Sequence, residues 1–423
     1  WSYRDVLPFF KRMEAYSDSE GEDAFRGRDG PLKVTNPAPT DPLLATVVKA
    51  AAQLGIPYNP DYNGGVQDGI AMSQATIYGR RRMSTAECYL APARKRANLH
   101  IETNAHAEHL ILEGKRCVGV RYRVQGQQRE AFSGRELVIS GGSINSPQLL
   151  ELSGIGQAER LRSLGIDVQH ELPGVGENLR DHFAPRTRWL VGAKGYTLND
   201  RTRGLGLAYQ ALRYVLGQPS MMAAVAAPMR AFVRSREGLE APDVLLGWVP
   251  MLSQMLPKGP VISKQSGMTC YAHPMRPEST GNIHITSADP NQSPAINFNF
   301  LSARMDEDLT VAAVNIARSI MRAPAMQPLQ LTEVGPGEEL NTHDEIIDWV
   351  KRTAETTYHP VGTCKMGNDP MAVVSNELKV HGIEGLRVAD ASVMPTLTSG
   401  NTNAPSIMIG ERAAGWILGG GAS

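Results

Sequence analysis

"RELVISGGSINSPQLLELSGIG", residues Arg135 to Gly156, decides the fold. An apolar strand, Leu137–Ile139, runs into Gly141-Gly142-Ser143, and a helix follows. Ser146 suits the helix cap, Pro147 the first helical position, and Gly154 the residue just past the end. Strand, glycine turn and helix make the layout of a nucleotide-binding crossover, because bare backbone lets a ligand approach closely. The fold class read from this unit is α/β.

Upstream, "NLHIETN", "AEHLILEG", "RCVGVRYRV" and "QQREAF" read as short strands, with "EGKR" as a hairpin turn. Thr40 is expected to cap a helix over Asp41–Gln53 that Gly55 closes, and a second helix is expected over about Thr85–Arg96. Residues 21–39, rich in Gly, Pro and charge, read as an extended surface loop. Downstream, residues about 183–335 alternate helices with strands. This stretch is Met-rich, which fits a substrate-facing α+β domain and equally fits plain core packing. Thr342 and Glu345 form a capping box. The helix they open should end near Tyr358, because Pro360 disfavours helical geometry at His359. A last strand, Leu386–Ala389, leads to Asp390, a polar loop and a helix from about Pro405. Asn403 then stands at that helix's N-terminus, where free N–H groups and the dipole attract negative charge.

Composition narrows the function. Lys plus Arg equal Asp plus Glu at 43 each in 423 residues, so no overall field favours nucleic acid. Arg80-Arg81-Arg82 reads as a solvated or ion-pairing run. Four widely spaced cysteines fit the reduced thiols of a cytosol. No stretch approaches the roughly 18 apolar residues of a spanning helix, so the chain is expected to be cytoplasmic and at most peripheral to a membrane. "WSYRDVLPFFKRMEAYSDSEG" opens without Met and reads as an internal stretch of a longer polypeptide. His106-x-x-His109 lacks a third ligand at metal spacing, so no metal is expected. Gly142-Ser143 lacks the closing glycine of a nucleophile elbow, and "GVGENL" (Gly174 to Leu179) reads as a tight turn.

In "TTYHPVGTCKMG", His359 sits on a loop just past a helix. A neutral imidazole accepts a proton at working pH. A carboxamide such as that of Asn403 can donate to a developing alkoxide. Together they suit the deprotonation of an alcohol.

"GGSINSPQLLELSGIG" resembles the second signature of the glucose–methanol–choline (GMC) oxidoreductase family. "YHPVGTCKMG" and "HGIEGLRVADASVMPTLTSGNTNAPSIMIGERAA" resemble its C-terminal blocks, and the likeness runs in family order from "WSYRDVLPFF" to the last helix. The resemblance implies FAD-dependent oxidation of a primary alcohol to an aldehyde, with hydride passing to flavin N5. It implies an electron acceptor too, a quinone or dye-like molecule being favoured over oxygen. By the same resemblance His359 is the catalytic histidine and Asn403 the second catalytic position. Ser140, Gly141, Gly142 and Ser143 line the adenosine, and the main chain of Ala107 meets the adenine. Asp390 and Ala391 lie beside the pyrophosphate and ribitol. Asn403, Ala404 and Pro405 start the helix aimed at the pyrimidine ring. Cys364 has no role in that scheme and is expected to be a buried structural thiol.

The implied architecture is an incomplete, Rossmann-like FAD lobe, residues 97–180 and 376–423. It interleaves with an α+β substrate lobe on an antiparallel sheet and with cofactor-covering segments, residues 1–96 and 181–375. The family's G-x-G-x-x-G strand–turn–helix has no counterpart in these residues. The apolar, Met-rich lobe suits aliphatic or aromatic alcohols. Choline fits the family, but its cation wants an aromatic cage, and aromatic residues are 6% of the chain. The alternatives are an oxygen-using alcohol oxidase, a light-driven flavin fatty-acid decarboxylase of the same family, and a non-catalytic fragment.

Overall fold

Two apolar cores organise the chain in a computed structural model that describes residues 1–18, 22–36, 41–218, 220–223, 225, 227–256 and 259–419. The first gathers Ile139, Leu150, Ile155, Val361, Cys364, Val388 and Ile409. Leu137–Ile139 pairs in parallel with Leu386–Val388, Ile139 standing opposite Val388. The crossover helix after the first strand spans Gly142–Leu152, a turn earlier than the expected cap. Ser146 is not that cap. Its hydroxyl donates to Asp390 Oδ2 (2.5 Å) and accepts from the Gly141 N–H (3.0 Å), while the Gly142 N–H donates to the same carboxylate oxygen (2.9 Å). A side chain far along the sequence therefore anchors the helix start. Gly154, at φ +78, ends the helix as expected.

A three-stranded antiparallel meander, Ala105–Glu113, Arg116–Val124 and Gln127–Phe132, lies beside this core, with Gly114 turning its first hairpin at φ +59. "NLHIETN" is not a strand, because Leu99 and Ile101 are exposed and no described strand pairs with them. Residues 85–96 hold a π-turn, Ala86–Leu90, and one short helical piece, Ala91–Ala93, instead of a continuous helix. Within the 21–39 segment, the described residues 22–36 are less exposed than their composition suggests. Leu32–Val34 pairs with Glu14–Tyr16, and buried Arg26 stacks over the Tyr16 ring (3.7 Å) between Glu14 (3.1 Å) and Asp61 (3.5 Å). Buried guanidinium groups require such partners, which is why this charged segment turns inward. The next helix spans Pro42–Gln53 and is capped by Asp41, whose side chain accepts from the Leu43 and Leu44 N–H groups. Thr40 lies outside the described residues.

The second core lies under a six-stranded antiparallel sheet. Its order is Leu331–Gly335, Arg186–Val191, Gly267–Pro274, Val244–Val249, Met229–Val233 and Gly69–Met72. Helices Pro42–Gln53 and Arg304–Arg322 contribute to this core, packing with Met229, Ala231, Leu246, Trp248, Cys270 and Ala272. Strand alternation then turns Arg230, Leu245, Tyr271 and His273 to the opposite face. The register aligns Arg186, Tyr271, Gly247 and Arg230 in one cross-strand row. The capping box at Thr342 and Glu345 is present, but its helix ends at Thr353 and not near Tyr358. Ala354 is already extended, and Glu355–Thr356 pairs with Phe183–Ala184.

Glu151, fully buried on the crossover helix, ties the first core to the neighbouring strands. It accepts from the Ile285 N–H (2.8 Å) and meets His284 Nδ1 (2.7 Å), whose other nitrogen meets Glu177 (3.0 Å). Glu151→Ala should cost about 3–5 kcal/mol, because it strands a buried ring and a buried N–H. A urea titration checks this. An unchanged midpoint would mean the cluster is not holding the two parts together.

Candidate active site

Between the open face of the large sheet and the His359 loop lies a cavity of ≈ 160 Å³. Its walls include Arg186, Leu245, Tyr271, His273, His359 and Asn401. The loop is held on both sides of the histidine. Asp181 accepts from the His359 N–H (2.9 Å) and from the Thr356 hydroxyl, and Tyr358 turns through a left-handed φ of +62 between them. On the far side, Ser143 on the crossover helix donates to the Pro360 carbonyl (2.7 Å) and accepts from Thr363 Oγ1 (2.7 Å).

The proton positions on His359 follow from its neighbours. The Met275 carbonyl can only accept, so His182 Nε2 donates to it (2.9 Å) and His182 Nδ1 keeps a lone pair. His359 Nδ1 lies 3.1 Å from that nitrogen and therefore carries the hydrogen. Thr357 agrees: its hydroxyl donates to the His182 carbonyl (3.2 Å) and so accepts from His359 Nδ1 (2.8 Å). Nε2 of His359 is left without a hydrogen and accepts from Asn401 Nδ2 (2.8 Å). The orientation of that amide is fixed in turn, because Asn401 Oδ1 accepts from Arg230 Nη1 (3.0 Å). Ser73 Oγ accepts from Arg230 Nε (3.1 Å) and donates to the Ala227 carbonyl (2.7 Å).

Burial keeps these rings neutral. It pushes His182 well below the usual imidazole range, and His273, whose ring lies tilted against it at 4.2 Å, down to about 4. His359 also falls to about 4, through burial first and the Arg230 charge second. A neutral imidazole with one directed lone pair at a cavity wall is the equipment of a general base.

The other expected positions lie on several elements. The carboxamide bonded to His359 is that of Asn401, whereas Asn403 is the first residue of the final helix, Asn403–Ile417, and is exposed. Ala404 and Pro405 follow in its first turn. Ala107 lies in the first meander strand, and Ala391 opens a 3-10 turn after Asp390. Ser140 donates to the Ala389 carbonyl (3.0 Å). Cys364 is a fully buried free thiol in the first core. His182, His273, Arg230 and Asn401 were not singled out by sequence. Their signals, "DHFAP", "YAHPM" and a second asparagine two residues before Asn403, gain meaning only once the strands are placed.

Models of the GMC oxidoreductase family match residues 1–184 and 277–410. The oxygen-dependent choline dehydrogenase of Brucella melitensis biotype 1 is 39% identical over 421 residues, covering 99% of this chain and 76% of that protein. The Staphylococcus xylosus protein of the same name is 38% identical over 422 residues, covering 99% and 75%. The chain belongs to the GMC oxidoreductase family. Among solved structures, this GMC oxidoreductase is similar to pyridoxine 4-oxidase from Mesorbium loti, with a TM-score of 0.86 and 26% identity over 99% of this chain and 78% of that one. A variant formate oxidase from Aspergillus oryzae shares the fold at a TM-score of 0.90 and 24% identity, covering 99% and 78%. The protein is thus an FAD-dependent oxidoreductase acting on CH–OH donors. Among the described residues no helix is long and apolar enough to cross a membrane.

Two features of this GMC chain fit FAD. Ser140 and Gly141 are exposed, and a Cβ on Gly142 would meet nothing within 4 Å, so the backbone there is open to a ligand. The final helix starts with no side-chain cap at Thr402, which leaves its first N–H groups available to an acceptor.

Proposed function

We propose that the chain oxidises a primary alcohol to an aldehyde, with His359 Nε2 taking the hydroxyl proton. The single observation behind this reading is the hydrogen-bond chain from Met275 to His359, which leaves one directed lone pair at the cavity wall. A carboxamide from the loop and helix start at 401–403 holds the same oxygen. Family position favours Asn403 for that task, and the hydrogen bond to His359 favours Asn401. Ser140, Gly141, Gly142, Ser143, Asp390 and Ala391, the main chain of Ala107 and the first turn Asn403-Ala404-Pro405 would hold FAD. When bound, FAD supplies the hydride acceptor. Residues 97–180 and 376–423 would make up the part of the cofactor lobe these residues contain, and 1–96 with 181–375 mainly the substrate lobe and covering segments. A quinone or dye-like acceptor is favoured over oxygen.

The FAD-loaded protein should bleach its visible flavin band when mixed anaerobically, in the dark, with a panel of primary alcohols, and aldehyde should appear. No bleaching with any alcohol would overturn the reading. Asn401→Ala and Asn403→Ala divide the carboxamide's work. The variant that lowers kcat by about 10²-fold at unchanged flavin content identifies the group on the substrate oxygen.

A further inference from the structure

We infer that the cavity selects an alcohol without a positive charge, and that Arg230 sets this selectivity; the inference rests on the alcohol-oxidising function proposed above. Arg186, Tyr271 and Arg230 lie in one cross-strand row, with Gly247 between the last two. Tyr271 leans across that glycine, since a Cβ there would come within 2.1 Å of its ring. The row therefore sets one aromatic ring between two guanidinium groups, Arg186 lining the cavity itself and Arg230 reaching it through Asn401. The charge on Arg186 is compensated, because its Nη2 lies 3.0 Å from Glu355 Oε2. Arg230 is different. Its hydrogen bonds go to the neutral Ser73 hydroxyl and the Asn401 carbonyl oxygen, and among the described residues no carboxylate pairs with it. Its charge reaches His359, His273 and Tyr271, opposing further positive charge on the two imidazoles and favouring negative charge on the phenol.

No Asp or Glu is among the residues lining the cavity. Asp181, the carboxylate bonded to the His359 N–H, faces a separate pocket behind the loop. A quaternary ammonium group needs either a carboxylate or an enclosing set of aromatic faces. Besides the His273 and His359 imidazoles, the aromatic rings lining this cavity are those of Tyr271 and Tyr358, and Tyr358 is 77% exposed. The same guanidinium, acting through Asn401, favours negative charge developing on a substrate oxygen. The cavity wall is thus built for an oxyanion and against a cation, although the relatives above are named for choline.

The test compares choline with 3,3-dimethyl-1-butanol, which has its shape but a carbon in place of the charged nitrogen. With the FAD-loaded protein, kcat/KM should favour the neutral alcohol by at least about tenfold. Arg230→Gln should narrow that ratio about tenfold and Arg230→Lys should preserve it. Arg230→Gln also frees Asn401 and slows both substrates, but the ratio cancels that loss. Calorimetric binding of tetramethylammonium supplies a readout without turnover: it should tighten in Arg230→Gln. A wild-type preference for choline, an unchanged ratio in Arg230→Gln, or equal tetramethylammonium binding in both would overturn the inference while leaving alcohol oxidation standing. Absence of turnover with either alcohol removes the function reading, and the binding comparison still decides the charge of the site.

Discussion

His359→Ala should lower kcat by about 10³-fold while leaving flavin content and the thermal midpoint close to wild type. The size follows from the task. The ring supplies the only acceptor that the Met275–His182–His359 chain directs at the cavity, and a positioned base contributes roughly 10²–10⁴ in rate. The tolerance of the fold follows from the backbone, because Asp181 and Ser143 hold the loop through the His359 N–H and the Pro360 carbonyl, which alanine keeps. The accompanying pH profile carries a sign. The base works when neutral, so activity is present above its pKa and lost as pH falls through it. With that pKa near 4, the acid limb should lie well below the ordinary imidazole value of about 6.5. His182, His273, Arg230 and Asp181 are the charged or titratable groups around the ring, and the first two are themselves held neutral by burial. A limb near 6.5, or near-normal turnover in the alanine variant, would remove His359 as the base.

What the sequence makes legible here depends on how local the cause is. The strand–turn–helix at 137–152 is readable because an apolar run, two glycines and a helix follow one another directly. Its first helical residue is not, because the group that fixes it is the carboxylate of Asp390. His359 stands out through its own neighbourhood. Arg230, Tyr271 and His273 do not, since each looks like an ordinary strand residue until the register sets Gly247 between Tyr271 and Arg230. The choice between Asn401 and Asn403 is finer still. Both sit in "SGNTNAP", and only the start of the final helix at Asn403 leaves Asn401 in the preceding loop, within reach of His359.

Asp390→Ala should cost about 4 kcal/mol and strip most of the FAD from the purified protein. Asp390 follows the end of one of the two parallel strands, and the 140–143 turn follows the end of the other. In open α/β sheets ligands bind outside the carboxyl ends of the strands, so this edge is where a cofactor is expected. The carboxylate joins the two ends: it accepts from the Gly142 N–H, the Ser146 hydroxyl and, at 2.8 Å, the Ser392 N–H. Ser146 and Ser392 are fully buried, so alanine leaves donors without water to replace the lost partner. Losing that clamp frees Gly141 and Gly142 to leave the shape a ligand needs, and retention should fall further than stability alone explains. Asp390→Asn separates the two effects. One amide oxygen still accepts while the charge is gone, so stability should recover in part and flavin retention should lie between the two forms. Absorbance of bound flavin per protein, followed through a thermal ramp, measures both quantities at once. Wild-type flavin retention in the alanine variant would mean that the two strand ends are held by something other than this carboxylate.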